Sequence, residues 1–393
     1  MPEDSAPEVT LPEGSAPAAA DDAFAADMYR LLSGHAPDLV FSPASVASVL
    51  RMALCGARGR TAAELGAALH LDGALPPGGW AGAAAAGLRA LAALVSDVTA
   101  GGAVTFRAPA AVWVQAGLPL LPGFTARLGA AVAGADFAAA PQAARGQINQ
   151  AVTQETGGKI TGLLPPGAIG AATRLVLTSA IYLKAGWAQT FPAPGTADAP
   201  FYPDGPALTV AMMHGTAARQ YVRGEGYQAV VLPYRDSPLA MAIVLPDGPL
   251  ASLRPALAAS GLRGLLAAAA RHQVTLAMPK FRQETALDLI PVLRQLGVQA
   301  AFTAGADFTG ITQAARLRVG AVAHKAFIDV DEQGTEAAAA TAVSFRPLAA
   351  FRSPPPVTMT VDRPFLFAIV HAPTSLPLFL GQVSHPPQTG GRA

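Results

Sequence analysis

The chain has one cysteine, Cys55, in 393 residues. That excludes an internal disulfide and leaves the redox compartment undefined. Cys55 is expected in a core helix rather than at a nucleophilic site. Charge is sparse too: 27 basic and 26 acidic side chains give a formal +1, and charged residues make up only 13%. Such a balance offers no basic surface for nucleic acid or an anionic membrane. The chain is 51% apolar, but much of that share is alanine. No uninterrupted apolar run approaches the roughly 18 residues of a spanning helix. Catalytic signatures are missing as well. There is no G-x-S-x-G elbow, H-E-x-x-H pair, P-loop or G-x-G-x-x-G fingerprint. The seven histidines, at 35, 70, 214, 272, 324, 371 and 385, show no metal-ligand spacing. The expectation is a protein without cofactor or metal, with a hydrolase as a remote alternative.

What is present divides unevenly. "MPEDSAPEVTLPEGSAPAAADD" is acidic and rich in proline and alanine, and residues 1–20 are expected to form a disordered leader. No positive charge precedes an apolar stretch there, so it does not read as a signal peptide. Residues 387–393 read as a loose tail. Between them no Pro/Gly/Ser linker splits the chain, and residues 21–386 are expected to form one domain. Helices dominate the first half. Asp21 and Asp22 are expected to cap one bearing Phe24, Met28, Leu31 and Leu32. Ser42 and Pro43 open the next, which buries Val46, Val49, Leu50 and Leu54. Thr61 and Glu64 form a capping box for a third, and residues 80–98 form an Ala-rich fourth. "TFRAPAAVWVQ" reads as one strand. From about residue 174 strands prevail, including "TRLVLTSAIYLKAGW", the hairpin "YQAVVLPYR"/"LAMAIVLPDG", "KAFIDV", "PFLFAIVHAP" and "LPLFLGQV". Thr285 and Asp288 are expected to cap a late helix stopped by Gly297. Helices first and strands last indicate an α+β fold.

One stretch, "DEQGTEAAAATAVSF" (331–345), resists local rules. Its alanines favour helix, but it is short and lacks a broad apolar stripe. With period two, Thr335, Ala337, Ala339, Thr341, Val343 and Phe345 share one face, small at its start. Glu336, Ala338, Ala340, Ala342, Ser344 and Arg346 share the other, and Gly334 is a permissive pivot. The stretch therefore reads either as an Ala-rich surface loop or as a strand able to slide between others.

Several motifs in one order resemble the serpin family over about residues 21–386. "FSPASVASVLRMALCGARGRTAAEL" resembles the family's second helix and the segment after it. "INQAVTQETGGKITGLLPPGAI" is similar to the helix that crosses its main sheet, with Thr156, Gly158, Lys159 and Ile160 at the end. "LVLTSAIYLKAGW" resembles a central-sheet strand with its Trp turn. "HKAFIDVDEQGTEAAAATA" resembles the hinge, and "VDRPFLFAIVHAPTSLPLFLGQVSHP" the C-terminal signature.

The resemblance implies helices around a large mixed central β-sheet, further sheets and an exposed reactive loop at about 332–356. It implies a monomeric suicide substrate, not an enzyme. A serine protease attacks the loop, which then inserts as an extra strand and traps the acyl-enzyme; strand insertion of this kind is a documented serpin behaviour. The hinge would comprise Glu332, Gly334, Thr335, Glu336, Ala337, Ala338, Ala339, Ala340 and Thr341. Thr335, Ala337 and Ala339 would turn into the sheet, while Glu336 stays wet. Counting from Gly334 places the scissile bond at Leu348–Ala349, suited to chymotrypsin-, elastase- or subtilisin-like proteases. The 30-residue spacing from Gly334 to Pro364 is long for the family and leaves Arg352–Ser353, a trypsin-like site, as the alternative. Ser42, Ser45, Ser179, Trp187 and His324 match the region where the sheet opens. Ser179 replaces a usual asparagine, which predicts a weaker or rewired lock. Ala151 replaces a usual tryptophan, and Pro109 a usual asparagine. Only Arg89 is basic within 80–98, so no heparin-type activation is expected. Location follows from processing: cytoplasmic for the chain as it stands, extracellular if a signal has been removed or by the resemblance. A non-inhibitory member, serving as protease substrate or in binding or folding, is the competing reading. The alanine, glycine and proline usage suggests a bacterial source.

Overall fold

The structure, a computed structural model, describes residues 16–71, 75–76, 78–336 and 355–389. Its helices are α1 (Ala16–Leu32), α2 (Pro43–Gly56), α3 (Gly59–Ala68), α4 (Gly79–Ala100), α5 (Pro122–Leu128), α6 (Pro141–Glu155), α7 (Arg254–Leu266) and α8 (Ile290–Gln295). The first strands are β1 (Leu39–Phe41), β2 (Thr105–Arg107), β3 (Ala110–Gln115), β4 (Val132–Ala135), β5 (Leu175–Gly186), β6 (Ala197–Phe201), β7 (Leu208–Gly224) and β8 (Tyr227–Pro233). They are followed by β9 (Leu239–Pro246), β10 (Ala270–Pro279), β11 (Phe281–Asp288), β12 (Val319–Val330), β13 (Gly334–Thr335), β14 (Val357–Thr360), β15 (Phe365–His371) and β16 (Leu376–Val383).

α2 follows its local signals closely. Ser42 Oγ accepts the Ser45 N–H at 3.0 Å, Pro43 occupies the first turn, and every residue of the helix is buried, Cys55 included. Elsewhere the capping signals were spent on neighbours. α1 already runs from Ala16, so Asp21 and Asp22 lie inside it and do not cap it. The Asp22 carboxylate instead accepts the N–H groups of Leu262 and Arg263, where α7 breaks and restarts at Gly261 with φ +63°. A Cβ at Gly261 would lie 1.8 Å from Asp22 Oδ2. Thr61 and Glu64 do not box α3 either. Thr61 Oγ accepts from Asp307 N–H, and Glu64 Oε2 accepts from Gln299 and Ala300. Thr285 sits in β11 and accepts from Val40, while Asp288, at the end of β11, accepts the Ile290 N–H without holding the cap position of α8, which is Leu289. Pro109, lacking an N–H, splits the single strand expected there into β2 and β3.

Two sheets organise the molecule. The larger runs β1-β16-β15-β9-β8-β7-β10-β14, with β6 on β7. The central sheet runs β11-β12-β13-β5-β3-β4, with β2 also on β5. Within it β12 and β5 pair in parallel from Val319/Leu175 to Phe327/Tyr182. Side chains alternate across this pair. Tyr182, Ala323 and Phe327 pack with Ile148 and Val152 of α6, which lies on one face; Ile181, Leu183, Ala326 and Ile328 face the core shared with the other sheet. Ala151 is part of the α6 packing. α4 is long and apolar enough to cross a membrane by length and composition alone; it packs on α2 and β2. The chain is tied down as far as Thr389, whose N–H reaches Thr209 O at 3.0 Å.

Candidate strand-insertion site

The parallel pairing of β5 and β12 stops at Tyr182 and Phe327, although both strands continue. Above that point the two are separated by β13. Gly334 pairs with Gly186, and Thr335 pairs with Ala185 on one side and Val330 on the other. Two residues thus already lie between two long strands as the start of another. Gly334 has φ +154°, and a Cβ there would sit 2.1 Å from Ala185 O, so only glycine fits. Thr335 is fully buried, and its hydroxyl hydrogen-bonds the Tyr234 hydroxyl at 2.6 Å. Trp187 stacks on Tyr234 with ring centroids 4.7 Å apart and donates from Nε1 to Asp331 O at 3.0 Å. Trp187 therefore forms the floor beneath β13. Burial pushes the Tyr234 hydroxyl far above the usual tyrosine range, so it stays protonated and able to donate.

Glu336 follows with φ +47°, and its N–H donates to Asp329 O at 2.8 Å. Here the expectation of a solvated carboxylate fails. The Glu336 side chain is only 18% exposed and pairs with Lys159, which lies just past the end of α6. It also holds a hydrogen bond with the Tyr182 hydroxyl, whose pKa is raised by burial first and then by the Glu336 charge. Position two of a two-residue period faces α6, not water, and α6 roofs it. A second carboxylate, Glu332, pairs with Lys280 at 2.9 Å and accepts from Thr196 Oγ at 2.7 Å. These bonds outweigh burial and hold Glu332 below the usual carboxylate range.

Lower down, His324 and Ser179 face each other in register across the parallel pair. His324 Nε2 accepts the Ser42 N–H at 3.0 Å, which puts the ring proton on Nδ1, 2.9 Å from Ser179 Oγ. Full burial depresses His324 to about 3, so the ring is neutral. Ser42 and Ser45 Oγ atoms lie 3.0 Å apart beneath the same opening. Ser179, expected to leave a weaker or rewired lock, makes a direct hydrogen bond to His324. Ser179 is the direct cross-strand partner of His324, so a short side chain suffices. The four residues come from three elements: Ser42 caps α2 and Ser45 lies in its first turn, Ser179 is in β5 and His324 in β12.

The structure thus brings together Ser42, Ser45, Ser179 and His324 at one level, and Trp187, Glu332, Gly334, Thr335 and Glu336 at another. Ala337 to Thr341, Leu348, Ala349, Arg352 and Ser353 lie outside the described residues. Tyr234, Tyr182 and Lys280 were not singled out from sequence, and Lys159 was read only as part of the motif ending the crossing helix, not as a partner of Glu336. Tyr234 had a signal, a hydroxyl-bearing aromatic just before a turn; the others are defined only by packing. Among the described residues no group of three or more histidine, cysteine, aspartate or glutamate side chains is placed to hold a metal.

A central sheet with a helix across one face and a two-residue strand seated between two long ones defines a distinct class of α+β proteins. The comparisons agree: the family model described as "Serpin (serine protease inhibitor)" matches residues 19–386, and the chain belongs to the serpin family. The leukocyte elastase inhibitor of Bos taurus is 35% identical over 387 residues, covering 94% of this chain and 99% of that one. Among solved structures, Serpin48 of the insect Tenebrio molitor superposes with a TM-score of 0.81 at 28% identity, covering 94% and 98% of the two chains. Human thyroxine-binding globulin, solved with thyroxine, gives 0.84 at 27% identity, covering 95% and 99%. The family is described as one of serine protease inhibitors, and the α+β architecture expected from sequence is the one observed.

Proposed function

We propose that this protein inhibits a serine protease as a suicide substrate. The protease's serine attacks the Leu348 carbonyl, Ala349 leaves with the C-terminal part of the loop, and the acyl-enzyme forms. The loop, now free at its new end, extends β13 downward between β12 and β5. It carries the attached protease with it, and distortion of that enzyme's active site leaves the ester unhydrolysed. One observation carries this reading: β13 already lies between the strands that must part, with Thr335 buried and no charged side chain facing the core there. The next residues in the sequence, Ala337 to Ala340, are all too small to stall insertion. An apolar primary residue and a relative named as an elastase inhibitor support a chymotrypsin-, elastase- or subtilisin-like target.

The test is incubation with chymotrypsin, elastase, subtilisin and trypsin, then denaturing gels and mass measurement of the released peptide. A complex that survives denaturation, with a peptide beginning at Ala349, is expected. A complex with trypsin alone and a peptide beginning at Ser353 keeps the mechanism and moves the bond. Cleavage by every protease with no complex overturns the inhibitor reading in favour of a non-inhibitory serpin.

A further inference from the structure

A cavity of about 330 Å³ opens between α2, α4 and the turn joining β15 to β16, away from the central sheet's opening. Its walls are largely apolar, formed by Ala44, Ala90, Leu91, Leu94 and Leu376. That volume and lining are those of a small-molecule site at the lower end of the usual range. Its polar groups are unequally engaged. His371 uses both ring nitrogens, on Asp97 at 3.0 Å and on Thr374 Oγ at 2.8 Å. Asp97 itself stands at the mouth, 58% exposed. Arg51 is different. It projects from α2 into the cavity wall, is 5% exposed, and pairs with Asp21 through a single nitrogen. Its Nε–H has no partner among the described residues.

A guanidinium offers five N–H donors, and buried donors left unmet are unfavourable. The guanidinium also lies against the α4 backbone at a position kept bare: a Cβ on Gly87 would sit 2.6 Å from Arg51 Nε. So the buried charge has spare donors and is fixed at the edge of an apolar chamber, while both neighbouring carboxylates are already engaged. We infer that this cavity binds a small amphipathic monocarboxylate. Its head group would accept from Arg51, and its short alkyl or aromatic body would fill the space against Leu91, Leu94 and Leu376. The inference is independent of protease inhibition.

The test uses the full chain and the fluorescent sulfonate 8-anilinonaphthalene-1-sulfonate as probe. One probe per chain is expected, displaced by decanoate but not by decylammonium. Ala90→Trp fills the chamber from an exposed helix position and should abolish binding while leaving the urea-unfolding midpoint in place. Arg51→Met should weaken the sulfonate about ten- to a hundredfold, the value of a charge-assisted hydrogen bond, and leave the uncharged N-phenyl-1-naphthylamine unaffected. Binding unchanged in Ala90→Trp, several weak sites per chain, or preferential displacement by decylammonium would overturn the assignment. Because Ala90 is exposed, the outcome does not depend on whether Arg51→Met folds.

Discussion

His324 is neutral because it has no water, and that makes it a source of acid sensitivity. Its folded pKa, about 3, lies below the ordinary 6.5. Below about pH 6.5 the unfolded chain therefore takes up a proton that the folded chain refuses. Stability from this group is complete above that pH and is lost as pH falls towards 3. The slope approaches about 1.4 kcal/mol per pH unit. Urea-unfolding midpoints at pH 7.5 and 5.0 should differ more for the wild type than for His324→Gln; equal differences would clear His324 of the effect. Thr335 makes a second case. Its side chain is fully buried against Tyr234, so Thr335→Arg would put an uncompensated charge into the sheet, a change that costs several kcal/mol. The loop should still be cut, but the denaturation-resistant complex should disappear from gels. At this scale the sequence was partly legible. Period two identified Thr335 as inward and small. It could not reveal what waited inside, because Tyr234 lies 101 residues away, nor the roof over Glu336, because Lys159 lies 177 residues away.

Elements were legible where their signals act on themselves. α2 has its cap, its proline and its apolar surface in one stretch, and it forms as expected. Capping residues proved harder to interpret, since a carboxylate or hydroxyl satisfies whichever N–H groups packing brings near. Asp22 serves α7, and Glu64 serves residues 299 and 300. Asp22→Ala should then loosen a helix it is not part of, costing about 1–2 kcal/mol as for a lost N-cap. The readout is faster amide exchange at Leu262 and Arg263 than in the wild type. Exchange that rises only within α1 would contradict the assignment. β7 went unrecognised although it spans 17 residues. Its centre, "HGTAAR", has little apolar alternation, and its pairing with β10 and β8 supplies what propensity lacks. β13 is legible only through Gly334. Gly334→Val should expel the hinge from the sheet by collision with Ala185 O. The change would be detected as altered Trp187 emission and a lower thermal midpoint.

For the whole molecule, the relevant comparison is between two complete folds of one chain. In the present one, β12 and β5 share a parallel ladder from Val319 to Phe327, with Ser179 and His324 hydrogen-bonded across it. Under the proposed mechanism that ladder is exchanged for two antiparallel ones, which pair better and bury an extra strand. Cleavage in the loop by a non-target protease should therefore raise the thermal midpoint above that of the intact chain. An unchanged midpoint would mean that no strand was added. No single stretch of sequence could report this, because it depends on which strands lie side by side, and β5 and β12 are more than a hundred residues apart. β13 bears on this exchange through kinetics. A strand joining a sheet must first find its register, and a slip of one residue would turn every second side chain the wrong way, placing Glu336 in the core. With Gly334 and Thr335 already seated, that search is over before any protease arrives. What remains is zipper-like propagation from a formed nucleus, so insertion monitored by Trp187 emission should begin without a lag.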